Sequence, residues 1–244
     1  MAYISFQPQD YFNTVLYNGT GSAQSITGVG FQPDWLWQKS RSNSQDGRIF
    51  DAVRGGSKLI YPSLTNAEST NAQLITSFDS DGFTMGSSGS NVNDSGTTNV
   101  AWNWKANGQG SSNTDGSINT TYTSASTTSG FSISTYTGTG ANATVGHGLG
   151  VAPKVVIVKD LSSSGAWRMY TEMTGNESQL ALDQTSAADS GNTSMWNSTS
   201  PTTTTFSIGT HGNVNTSSNN YVAYCFAEKK GFSKFGSYSA NNNA

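Results

Sequence analysis

Pro33-Asp34-Trp35-Leu36-Trp37-Gln38-Lys39 and Pro153-Lys154-Val155-Val156-Ile157-Val158-Lys159 stand at matching places in the two halves of this 244-residue chain. Beyond them Ser42, Ser44, Arg48 and Gly55 recur without a gap as Ser162, Ser164, Arg168 and Gly175, and Phe50 and Val53 are replaced by Tyr170 and Met173 in the same frame. Val155-Val156-Ile157-Val158 is apolar at every position, where a strand with one wet face would alternate, so it reads as a central strand covered on both sides. Upstream, residues 12–17 followed by Asn18-Gly19-Thr20-Gly21 match residues 131–136 followed by Thr137-Gly138-Thr139-Gly140. Downstream, Asn91-Val92-Asn93 and Val100-Ala101-Trp102-Asn103-Trp104 match Asn213-Val214-Asn215 and Val222-Ala223-Tyr224-Cys225-Phe226. Each copy is of domain size, well beyond the length of a solenoid repeat.

Short runs rich in β-branched and aromatic residues, separated by Gly, Ser, Asn and Asp clusters, read as strands with almost no helix between them. They fall at 14–17, 35–39, 48–53, 83–85 and 100–104, and again at 132–136, 154–159, 167–170, 206–208 and 221–227. The fold expected is all-β: two tandem antiparallel β-sandwich modules, of jelly-roll or lectin-like kind, related by internal duplication. Residues 1–106 form the first module and residues 107–244 the second, with a Ser/Thr/Asn/Gly-rich junction at 106–130 that holds a strand near residues 118–122.

Only 11% of the residues are charged and 34% are hydrophobic, which describes an uncharged polar surface rather than an ordinary cytosolic enzyme or a highly charged disordered chain. A net charge of −3 provides no basic footprint for nucleic acid. No apolar run approaches membrane-spanning length, and Met1-Ala2-Tyr3-Ile4-Ser5-Phe6-Gln7-Pro8 lacks the regions of a signal peptide. One cysteine, Cys225, leaves no intrachain disulfide, so core packing alone must hold each module.

The residues that could carry chemistry have plain structural readings. Asp79-Ser80-Asp81-Gly82 lacks the acidic spacing of a calcium loop and reads as a tight turn, so no metal or cofactor is expected. His147 and His211 are read as loop residues, and Cys225 as a buried thiol. No carboxylate pair recurs at a matched strand position and no catalytic triad is indicated, so the chain is read as a non-enzyme. Trp35, Trp37, Trp102 and Trp104, each matched by another apolar residue, read as core. Trp167 aligns with Gly47 and Trp196 lies in a polar turn; both are dispensable to the shared pattern and are the expected exposed ligand-binding platforms.

Tyr17-Asn18-Gly19-Thr20-Gly21, Gly28-Val29-Gly30-Phe31-Gln32-Pro33-Asp34, Asp51-Ala52-Val53-Arg54-Gly55, residues 76–83 and Val100-Ala101-Trp102-Asn103-Trp104-Lys105-Ala106 together resemble a repeated module of tail-fibre-like structural proteins of marine tailed phages. Gly146-His147-Gly148-Leu149-Gly150 and Tyr221-Val222-Ala223-Tyr224-Cys225-Phe226 resemble the partner module of the same proteins. Longer members continue with further modules after a segment like Lys234-Phe235-Gly236-Ser237-Tyr238. The resemblance implies a virion component, a fibre or surface decoration. Its expected partners are other virion proteins, further copies of itself and host surface glycans, with no nucleic acid and no membrane insertion. The alternatives are a capsid or tail assembly protein without a ligand, and a polysaccharide depolymerase.

Overall fold

The structure, a computed structural model, describes residues 6–87 and 92–240; Asn91, part of the repeat match, and residues 1–5 lie outside the described residues. The first half carries β1 (Phe12–Asn18), β2 (Gln24–Ile26), β3 (Trp35–Ser40), β4 (Arg48–Asp51), β5 (Lys58–Leu59), β6 (Ser69–Thr70), β7 (Ile75–Asp79), β8 (Gly82–Met85) and β9 (Thr98–Trp104). The second carries β10 (Tyr122–Ser126), β11 (Phe131–Thr137), β12 (Ala143–Gly146), β13 (Val155–Asp160), β14 (Arg168–Thr171), β15 (Ser178–Ala181), β16 (Asp189–Ser190), β17 (Thr205–Ile208) and β18 (Asn220–Phe226). Two one-turn helices, α1 (Thr193–Trp196) and α2 (Gly212–Asn215), lie within the second half. The protein is all-β, and its strand pairings are antiparallel.

One sheet runs β1-β9-β3-β4, and a seven-stranded sheet contains β11-β18-β13-β14 in its middle, with β10 added beside β11 and β15-β16 beyond β14. Smaller sheets, β2-β8-β7 and β12-β17, lie one in each half. Side-chain alternation dictates how these layers stack. In β18, Tyr221, Ala223 and Cys225 enter a core with Val145, Phe206 and Ile208 of the small β12-β17 sheet. Val222 and Tyr224, pointing the other way, join Trp35, Ile49, Val53 and Ile60 of the first half. Leu36, Phe50 and Ala101 meet Ile26, Phe83 and Met85 of the β2-β8-β7 sheet. The large sheets thus face one another across a core built from both halves, each with a small sheet on its outer side. Trp35 is the hub of that central core, with ring centroids 4.5 Å from Trp104, 4.9 Å from Tyr224 and 5.5 Å from Phe131.

The repeated motif words are explained by matched anchors. Tyr17 Oη donates to Val92 O and Tyr136 Oη to Val214 O, both at 2.8 Å. Asn93 and Asn215 each accept from the backbone of the Gly-Thr-Gly turn, at Thr20 N and Thr139 N. A Cβ on Gly19 would lie 2.1 Å from Asp94 O and one on Gly138 2.2 Å from Thr216 O, so only glycine fits at either place. The stretch at 106–130 is less a linker than part of the second half: it supplies β10, and Ile118 bridges to Val145.

Candidate functional site

The structure overturns the expectation of Trp167 and Trp196 as exposed platforms. Trp167 is 0% exposed and Trp196 2%. Trp167 stacks on Tyr224 at 6.4 Å between the halves, and its indole N–H donates to Tyr61 O at 2.8 Å. Trp196 ends α1, packs edge-on against Tyr170 and donates to Ser178 O at 3.1 Å. An aromatic unmatched in the other half can fill space inside the core as readily as it can sit on the surface. Being unmatched marked a local difference in packing, not exposure.

The corresponding place in the first half is open. Gly47, the residue aligned with Trp167, puts no side chain over Trp37; a Cβ there would sit 2.9 Å from the Trp37 indole nitrogen. Trp37 on β3 and Trp102 on β9 are register partners, half-buried, with rings 6.2 Å apart in an edge-to-face arrangement. They floor a cleft of about 390 Å³ walled by residues 44–47, Pro62 and Ser63, and closed on one side by Leu182 of the second half. The expectation that Trp37 and Trp102 are wholly core is corrected accordingly. Trp104, one pleat along the same face, packs on Trp35 as expected.

Polar groups rim the aromatic floor. Asp46 Oδ1 accepts from Ser63 Oγ at 2.8 Å. Lys39 Nζ is held by the carbonyls of Ser40 and Gln45, which point its ammonium along the cleft wall. The combination suits a ligand with an apolar ring face and hydroxyl edges: the indoles take the face, while a carboxylate accepts and an ammonium donates at the rim.

A model of the family described as "Domain of unknown function (DUF7483)" matches residues 7–244. The chain belongs to the DUF7483 family. Among curated proteins and among solved structures, no match to this DUF7483 chain is found.

Other reactive side chains of this DUF7483 domain are committed to structure. Asp51, 0% exposed, takes Arg54 Nε at 2.7 Å, Arg54 N at 2.8 Å and Tyr224 Oη at 2.7 Å, while Arg54 Nη1 reaches Glu68 at 3.0 Å. Burial works against the Arg54 charge, but Asp51, Tyr224 and Glu68 more than offset it and raise its pKa. The cluster ties the two large sheets together across the central core. Glu172, a near neighbour of Asp51 in the alignment, instead pairs with Lys154 at the surface. His147 is buried, accepts from Leu149 N through Nδ1 at 3.2 Å and lies 3.2 Å from Thr202 O through Nε2; burial lowers its pKa. His211 caps α2 by accepting from Asn213 N. Cys225 is buried, and burial pushes its thiol up to about 12.

Ser80-Asp81 turns the β7-β8 hairpin. Asp81 accepts from Gly28 N and Gly30 N, and these bonds lower its pKa. Among the described residues no group of three or more His, Cys, Asp or Glu is placed to hold a metal ion, and no helix is long and apolar enough to cross a membrane.

Proposed function

We propose that this chain is a non-enzymatic structural protein of a phage particle, a fibre or surface decoration that contacts host envelope glycans through the Trp37–Trp102 cleft. The observation that carries the binding role is the half-buried tryptophan pair on an open sheet face, rimmed by Asp46 and Lys39. A solitary site of this kind binds weakly, and a particle compensates by presenting many copies at high effective concentration. The assignment to a virion rests on the sequence resemblance, as do the other particle proteins proposed as partners. We further propose that the halves are duplicates of one jelly-roll- or lectin-like module. The shared order β1-β9-β3-β4 and β11-β18-β13-β14 supports this, as do the equal-length anchors from Tyr17 and Tyr136.

The test is a glycan array on the purified protein, followed by titration of the best ligand against Trp102→Ala and Gly47→Trp. Stacking that covers about 100 Å² of indole at ~25 cal/mol/Å² contributes roughly 2.5 kcal/mol, or some 70-fold in Kd. Trp102→Ala should lose most of that. Gly47→Trp, whose Cβ must push aside the Trp37 indole before its ring fills the cleft, should abolish binding. An array with no retained glycan, or binding indifferent to both changes, overturns the reading.

A further inference from the structure

Lys39 and Lys159 stand at matched places on β3 and β13, yet their ammonium groups keep different company. Each bonds to the carbonyl of the matched loop residue, Gln45 O for Lys39 and Gly165 O for Lys159. The other bond differs. Lys159, buried, donates to Thr65 O of the first half at 3.1 Å. Lys39 Nζ reaches Ser40 O, the carbonyl of its own neighbour, at 3.2 Å. Both partners of Lys39 therefore belong to the first half, and an ammonium with three N–H groups keeps one for the cleft that Lys39 lines.

The segment that approaches Lys159 is peptide. Tyr61 O accepts from Trp167 Nε1 at 2.8 Å, and Thr65 O also accepts from Gly165 N at 2.8 Å. The second half thus shows what this lysine receives beside an indole: an amide carbonyl. In the first half the same frame faces the cleft. Trp37 and Lys39 are two positions apart on β3, so they share one face of the sheet about 7 Å apart. Trp102 lies beside Trp37, and Asp46 precedes Gly47 at the cleft wall. Asp46 is exposed and spends Oδ1 on Ser63 Oγ, which leaves Oδ2 as an acceptor.

An ammonium and a carboxylate in one cleft select against charge of either sign. A carboxylated sugar loses beside Asp46 what it gains beside Lys39, and a free amino sugar does the reverse. An acetamido group meets both residues without net charge: its carbonyl accepts from Lys39, its N–H donates to Asp46, and its methyl lies on the indoles. We propose that the cleft takes sugars bearing an acetamido group, whose carbonyl has toward Lys39 the part that Thr65 O has toward Lys159. The assignment rests on the cleft being a glycan site and narrows the class of glycan.

The test is an NMR titration of the protein with matched sugars, N,N′-diacetylchitobiose against cellobiose and N-acetylgalactosamine against galactose. Within at least one pair the acetamido sugar should bind about tenfold tighter or more, the size of one hydrogen bond to a charged group. Saturation transferred from the protein should be greatest at the acetyl methyl. Lys39→Met and Asp46→Ala should each remove the preference; Asp46 is exposed, so its variant should keep the wild-type melting temperature. Equal affinities within both pairs, a preference that survives both substitutions, or saturation greater at the ring protons than at the methyl overturns the acetamido assignment while leaving glycan binding in place. Failure of all four sugars to bind also overturns it, and a glycan array that is empty as well removes the reading beneath it.

Discussion

Asp51→Asn should be among the most damaging conservative changes in this protein, and the geometry gives its size. Oδ2 of Asp51 receives two donors, Arg54 Nε and Tyr224 Oη, both at 2.7 Å, and Oδ1 receives Arg54 N at 2.8 Å. An asparagine can offer only one oxygen. Whichever way it turns, an N–H₂ faces either two donors or the backbone N–H, and the guanidinium keeps only Glu68 as an anionic partner. Removing one member of a buried ion pair costs about 3–5 kcal/mol, because the remaining charge stays out of water. Tyr224→Phe deletes the charge-assisted hydrogen bond to Asp51 and the longer one at 3.5 Å from Arg54 Nη2 but leaves the ion pair whole, so about 1.5–3 kcal/mol is expected.

Chemical denaturation followed by tryptophan fluorescence reads both variants, with the loss seen as a lower midpoint at unchanged slope. Since Trp35, Phe131 and Tyr224 share one core, unfolding of the two halves should coincide in a single transition. An Asp51→Asn loss below about 1 kcal/mol would refute the reasoning, as would a Tyr224→Phe loss of equal size; either means the cluster is solvated.

Trp167→Ala and Trp196→Ala should each cost about 3–5 kcal/mol by calorimetry or denaturation, as deletions of fully buried side chains; a near-neutral result would restore them as surface residues. Lys159 is buried with its ammonium on Thr65 O and Gly165 O, and burial lowers its pKa to about 8, partly opposed by Asp160 and Asp183. The folded chain then binds fewer protons than the unfolded one above that pH, so stability should rise with pH from there until tyrosines ionise near pH ~10. The slope from this group is at most about 1.4 kcal/mol per pH unit, and Lys159→Met should abolish it. Melting curves of both proteins on the alkaline side of neutrality check this, and an identical slope in the variant sinks it.

Most of the strands were legible because their sequence carries the answer locally. Val155-Val156-Ile157-Val158 has no polar face to show to water, and β13 is buried on both sides. The runs at 14–17, 35–39, 83–85, 132–136 and 206–208 fall within β1, β3, β8, β11 and β17. Short β5, β6, β15 and β16 and the one-turn helices were not legible, since two to four residues are too few to carry a period. Alternation also shows that a strand has two apolar faces without showing what covers each. Trp37, Trp102 and Trp104 have the same pattern as Trp35, yet sheet packing buries Trp35 and leaves the other three half-buried.

The candidate site was closest to legible at position 47. Comparing the two halves there does find the difference that the proposed site uses, but it lies with the glycine beside the cleft and not with Trp167, which is buried. A rule that pairs each unmatched aromatic with the small residue opposite it, and looks for a ligand on the small side, would have reached Trp37.

β9 and β18 lie between partners that precede them in the chain, so synthesis order matters. The first large sheet can close only when Trp104 has left the ribosome, and the second lacks its middle until residues 220–226 follow. Throughout that interval the Trp35 face of the nascent protein waits uncovered for Phe131 and Tyr224. Slow translation beyond residue 104, or a truncated message, prolongs its exposure to other chains; prompt completion and chaperone cover shorten it.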